Sequence, residues 1–322
     1  MAADSATARR AGVTAVHSLD HFVFSVPDLD TAARFYDDFG LEVQRRDDRL
    51  HLHTFGHSHR WGTVLRGGAA KRLQYLAFGA FAEDMGALEK RLADLGVKKA
   101  DAHPQAETSG LWFRDPEGVL VHVLAAPKVS PVAKSLPTAA AAVPPGAGAA
   151  PARSKAPKVR PRRLSHTLVF TSDVTRSWRF YADTVGLRLA DQSGDGIAFM
   201  YGAHASDHHM LAFAKSDGPG LHHSSWDVGS IDEVGLGMEQ MTSKGHTYGW
   251  GVGRHVVGSN YFYYVRDPWG SFAEYSHDID FIPADLEWRA KDHPPEDAFY
   301  VWGPPPPDYF IQNHETAARR AA

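Results

Sequence analysis

The chain contains no cysteine, which rules out disulfides and thiolate metal sites. It also lacks any apolar run approaching the length of a membrane span. Residues 1–15 have no apolar core of the kind that marks a secretory leader, so a cytoplasmic protein is expected. A net charge of −4 leaves no excess of positive charge for nucleic acid or an anionic membrane surface, and neither is expected as a partner. Residues 127–163 hold no aromatic and no acidic side chain; Ala, Pro and basic residues dominate, so this stretch cannot bury a core and reads as a solvated linker.

The rest of the chain has what a folded protein needs. Hydrophobic content of 43 % and charged content of 22 % are those of a soluble globular protein, and 322 residues suggest two domains. The unusual count is 19 histidines. Residues 19–43, LDHFVFSVPDLDTAARFYDDFGLEV, predict a strand, an Asp cap, a helix and a Gly stop. Residues 164–189 repeat that layout. His21 and His166 each follow a Leu by two places, and Arg-Phe-Tyr recurs at 34–36 and 179–181. The turn Asp115-Pro116-Glu117-Gly118 returns as Asp267-Pro268-Trp269-Gly270. This is an internal duplication of an α+β unit.

The expected organisation is a flexible N-terminus at 1–15 and an N-terminal, non-catalytic domain at 16–126. The linker follows at 127–163, then a C-terminal catalytic domain at 164–284. An aromatic and Pro-rich tail at 285–322 is expected to dock on the second domain or on a neighbouring subunit.

Chemistry concentrates near the end of the second half. Tyr261 to Val265 predicts a strand, Asp267 to Gly270 a turn, and Ser271 to Tyr275 a second strand with Glu274 in its middle. A carboxylate there is costly unless paired or bound to a metal. His166 and His223 stand near the starts of other apolar runs. Two imidazoles and one carboxylate make a facial triad, which leaves open positions on a non-haem Fe(II).

Six residues in order extend this pattern: His166, His209 in DHHMLAF, His223 with Trp226 three places on, a loop His255, Tyr264 and Glu274. The set resembles the type I extradiol ring-cleavage dioxygenases of the vicinal oxygen chelate superfamily. The resemblance implies four βαβββ modules, two per domain, with curled sheets around a cavity. It implies His166, His223 and Glu274 as ligands of Fe(II), with Mn(II) the lesser alternative. It places His209 on the oxygen side as a proton donor, and His255 and Tyr264 as hydrogen-bond partners of the substrate oxygens. The substrates implied are a small aromatic diol and O2, the ring opening beside the two hydroxyls. A homo-oligomer is expected. Two other readings remain: a metal-dependent isomerase or lyase of the same superfamily, and a protein that sequesters small aromatics.

The first half departs from the pattern, with His122 where the second half has Glu274 and Tyr75 where it has His223. No iron is expected there, and His21 and His122 read as buried structural histidines. Motif position selects His209 over His208 and His223 over His222. His204, His246 and His277 match nothing and are expected at the surface, while Asn260 and Arg254 flank the loop histidine without an assigned role.

Overall fold

The computed structural model describes residues 8–106, 108–139 and 142–320. The first half runs β1 (Val16–Val26), α1 (Leu29–Phe39), β2 (Glu42–Arg46), β3 (Arg49–His53), β4 (Gly62–Arg66), β5 (Arg72–Ala80), α2 (Met85–Asp94), β6 (Leu111–Arg114) and β7 (Leu120–Ala125). The second runs β8 (Arg163–Thr171), α3 (Val174–Val185), β9 (Arg188–Ser193), β10 (Ile197–Tyr201), β11 (Ser206–Asp207), β12 (Leu211–Lys215), β13 (Gly220–Asp227), α4 (Ile231–Thr242), β14 (Gly249–His255), β15 (Tyr261–Arg266) and β16 (Phe272–His277). Beyond it come β17 (Phe281–Ile282), β18 (Lys291–Asp292), α5 (Pro295–Ala298), β19 (Tyr300–Trp302) and α6 (His314–Arg320).

Repeated local chemistry builds the repeated elements. Asp28 caps α1 by accepting from the Asp30 N–H, and Asp173 caps α3 by accepting from the Arg176 N–H. Both helices stop at a glycine in the left-handed region, Gly40 and Gly186. At Gly40 a Cβ would meet the Val159 carbonyl oxygen at 2.1 Å, so only glycine lets the incoming chain pass.

The two sheets carry the same order. The first is β2-β3-β4-β1-β5-β7-β6; the second is β18-β9-β10-β12-β8-β13-β16-β15-β14-β19. Thus β1, β5 and β7 stand where β8, β13 and β16 stand. The expected βαβββ modules are present. In the second module of the first half, the strand matching β14 is reduced to an isolated bridge between Lys99 and Phe113.

One apolar core joins the halves. Phe39 stacks on Tyr275 with ring centroids 4.0 Å apart, and Phe22 meets Trp226 edge-on. Full burial of each such ring contributes about 1.5–3 kcal/mol. Lys71 and Asp267 form a buried ion pair across the same seam.

The terminal segments are tied in. Residues 1–7 of the stretch expected to be flexible lie outside the described residues, while Ala8 and Ala15 are buried. The described part of 132–158 is exposed apart from Ser135, and it is held at points such as the Thr138 N–H on the Gly229 carbonyl. In the tail, the buried Glu315 carboxylate accepts from the backbone N–H groups of Leu73 and Leu221, bridging β5 and β13. No helix among the described residues is long and apolar enough to cross a membrane.

Candidate metal centre

Strand register brings three potential ligands together. Ser225 on β13 pairs with His166 on β8 at one side and with Glu274 on β16 at the other. His223 lies two places from Ser225, and side chains alternate faces along a strand, so His223 shares their face. His166, His223 and Glu274 are all buried, and one donor atom from each lies within 4.8 Å of the others. The Nε2 atoms of His166 and His223 stand 3.3 and 3.6 Å from Glu274 Oε2.

Hydrogen bonds behind the triad set its tautomers. Ser165 Oγ donates to Asp207, leaving its lone pair for the His166 Nδ1–H at 3.3 Å. The Phe310 carbonyl can only accept, so His222 Nε2 carries a proton at 2.7 Å from it. Burial pushes His222 down to about 4. It is therefore neutral, with a bare Nδ1 that accepts from His223 Nδ1 at 2.7 Å. Both triad histidines thus present an unprotonated Nε2. His223 Nε2 and Glu274 Oε2 have no hydrogen-bond partner, and the second carboxylate oxygen accepts from Asn260 Nδ2 at 3.1 Å. Three electron-pair donors facing one another without a proton repel unless a cation sits among them. Two imidazoles and a carboxylate suit Fe(II) or Mn(II), and the residues fit such an ion.

Two sets of groups flank the triad. Near His166, the His209 ring lies at a centroid distance of 4.1 Å. Burial, then the neighbouring imidazoles, pushes His209 well below its ordinary pKa. Near His223, whose ring is 5.1 Å from that of Tyr264, His255 donates from Nδ1 to the Phe299 carbonyl at 2.8 Å, so its Nε2 accepts from the Tyr264 hydroxyl at 2.9 Å. Burial, then the Glu274 charge, raises the Tyr264 hydroxyl well above its ordinary value. Tyr264 pairs directly across from Glu274 in the β15–β16 ladder, which puts both on one face.

These groups share a cavity of about 520 Å³. Its walls are mostly apolar, with Leu168, Phe170, Ile197 and Phe199 from the sheet and Phe299, Phe310 and Ile311 from the tail. That volume suits a small organic ligand.

The first half has the same scaffold with different furniture. Tyr75 takes the register position of His223, His122 that of Glu274, and Trp112 that of Tyr264. Trp112 stacks on His122 with ring centroids 4.0 Å apart.

The structure thus brings together all six residues picked out in the sequence: His166, His223, Glu274, His209, His255 and Tyr264. Other expectations need correction. His255 is the last residue of β14 rather than a loop residue. His204 and His277 are buried, not at the surface. His204 Nδ1 accepts from the Arg10 N–H, and the Val228 carbonyl accepts from His277 Nδ1, so each satisfies a backbone group. Asn260 had no assigned role, yet it holds the Glu274 carboxylate. His208 and His222 were set aside, yet each hydrogen-bonds the next residue's Nδ1. A polar side chain immediately before His166, His209 and His223 was the available signal.

Comparison with known proteins agrees with this geometry. The sequence model of the Glyoxalase/Bleomycin resistance protein/Dioxygenase superfamily matches residues 18–123 and 163–275. Metapyrocatechase 2 of Cupriavidus necator is 48 % identical over 301 residues, 94 % of this chain and 93 % of the relative. An iron-dependent extradiol dioxygenase of Rhodococcus jostii (strain RHA1) is 29 % identical over 155 residues, 44 % of this chain and 50 % of the relative. A crystal structure of a catechol 2,3-dioxygenase superposes with a TM-score of 0.70 at 19 % identity, covering 92 % of this chain and 98 % of that one.

Proposed function

Since this chain belongs to the glyoxalase/bleomycin resistance protein/dioxygenase superfamily, we propose that it is an extradiol dioxygenase. It opens the ring of a catechol-type diol beside the vicinal hydroxyls and places both atoms of O2 in the product. The observation that carries this reading is a buried two-His, one-carboxylate triad with His209 and the hydrogen-bonded His255–Tyr264 pair lining the same cavity.

His166, His223 and Glu274 would hold Fe(II), with Mn(II) the lesser alternative. Such an ion would supply Lewis acidity toward the diol oxygens and a path for electron density from the ring to O2. The chain supplies positioning and protons. Bare His255 Nε2 accepts a proton from a diol hydroxyl when Tyr264 turns its O–H aside, and Tyr264, kept protonated, donates to the diol oxygen. His209, beside His166, is a neutral imidazole that takes up and returns a proton as the ring opens. The apolar walls exclude water from these transfers and grip the ring face. A module that only sequesters aromatics would need neither the triad nor Asn260 behind it.

The same proposal includes a cytoplasmic setting, where a reducing environment keeps iron ferrous, and a homo-oligomer. Val301 and Trp302, exposed on the edge strand β19, support assembly.

The test is anaerobic loading with Fe(II) followed by oxygen uptake with catechol, alkylcatechols and two-ring diols. The expected result is one O2 consumed per diol, with a ring-opened product. No uptake with any of these diols by iron-loaded protein would reject the proposal.

A further inference from the structure

Behind His209 lies a second layer of polar groups that the triad does not use. His208 Nδ1 is 3.1 Å from His209 Nδ1, and His208 Nε2 is 2.8 Å from Asp191 Oδ2 on β9. The other oxygen of that carboxylate, Oδ1, accepts from the Lys291 backbone N–H at 2.7 Å. His208, His209 and Asp191 are buried, and Trp288 packs edge-on against the His208 ring. His293 Nε2, half-buried, faces Asp191 Oδ1 at 3.4 Å.

The chain of donors and acceptors has one consistent reading in the neutral state. A carboxylate only accepts, so His208 Nε2 carries the proton toward Asp191. His208 Nδ1 is then bare and accepts from His209 Nδ1–H. The second nitrogen of His209, Nε2, is left without a proton at the cavity. We propose that Asp191 and His208 are positioning residues that fix His209 in this tautomer, so that it enters the reaction as a proton acceptor. The proton it later returns is one it has first taken from the substrate side. This inference rests on the extradiol reading for what His209 does, but not for how its proton is placed.

The segment around β18 belongs to the same device. The Lys291 N–H determines which end of residue 191 must be an oxygen. Asp191→Asn therefore turns its amide N–H toward His208 Nε2. That reverses the chain: His208 Nδ1–H now donates to His209, and the His209 proton moves to Nε2. An Asp→Asn change behind a catalytic histidine in serine proteases leaves geometry intact and costs about 10⁴ in kcat through the wrong tautomer. A smaller loss, on the order of 10²-fold, is expected here because Asp191 acts through two imidazoles.

Three variants of the iron-loaded full chain test the proposal: Asp191→Asn, His208→Leu and His208→Gln. The first two should lower kcat on the order of 10²-fold with KM and iron content unchanged. His208→Gln should keep kcat within about threefold, because its amide donates to Asp191 and accepts from His209. Imidazole ¹⁵N spectra of the zinc-loaded chain should show the His209 proton on Nδ1 in wild type and on Nε2 in Asp191→Asn. Wild-type kcat in Asp191→Asn and His208→Leu would overturn the proposal, and so would loss of iron as the cause of their defect. A His208→Gln variant as impaired as His208→Leu would overturn it too, by requiring a titrating group at 208. If iron-loaded wild type opens no diol, the extradiol reading fails, and the ¹⁵N spectra still decide the tautomer.

Discussion

Tyr264 and Glu274 face each other across the β15–β16 ladder, and the Tyr264 hydroxyl is also 2.9 Å from His255 Nε2. One strand pairing therefore places a proposed metal ligand and a proposed substrate-side hydroxyl on one face. Tyr264→Phe removes that hydroxyl without touching a ligand. Iron content should stay at the wild-type level while kcat falls about tenfold, the scale of one hydrogen bond of roughly 1.4 kcal/mol. Metal analysis beside oxygen-uptake kinetics checks this, and unchanged kcat would remove Tyr264 from the substrate side.

Asn260→Ala takes away the donor to Glu274 Oε1 and leaves the three donor atoms in place. Metal affinity should drop about 10–100-fold, as it does when an outer partner of a ligand is lost. Competition with a chelator of known affinity measures the change. An affinity equal to wild type would mean that Asn260 only fills space.

The structural histidines predict acid sensitivity. Burial pushes His17, His122 and His204 down to about 4, against 6.5 in an unfolded chain. These depressed values belong to bases, so the unfolded state binds more protons between pH 6.5 and 4. Stability is fully present above pH 6.5 and falls as pH drops through that window. The slope approaches about 1.4 kcal/mol per pH unit for each histidine, or roughly 4 for the three. Denaturant unfolding at several pH values checks it, and His204→Gln should flatten the curve. A flat profile from pH 7 to 5 would contradict the assignment.

Glu315→Ala should destabilise the chain by about 2–4 kcal/mol, because it strands the buried N–H groups of Leu73 and Leu221. The loss should appear in the denaturation midpoint. A midpoint equal to wild type would show that water replaces the carboxylate.

Much of this was legible in the sequence because repetition and spacing carry it. The paired Asp-Pro-x-Gly turns and the twin strand–helix starts marked the duplication, and strand pairing then placed Tyr75 and His122 in the register positions that His223 and Glu274 hold in the second half. The triad was legible because each of its members opens or centres an apolar run. What was not legible depends on contacts distant in sequence. Asn260 reaches Glu274 only because β15 folds back on β16. His255 extends a strand because β19, 45 residues on (300 − 255), pairs with it. The buried histidines His204 and His277 look polar in sequence, and only the fold supplies the backbone partners that bury them.

The central claim is that His166, His223 and Glu274 hold the one iron on which ring opening depends. The most direct measurement is iron content and oxygen uptake, side by side, in wild type, Glu274→Ala and the paired first-half variant His122→Ala. The account predicts one iron per chain in wild type and in His122→Ala, both active, and neither iron nor activity in Glu274→Ala. Full iron content in Glu274→Ala, or two irons per wild-type chain, would contradict it.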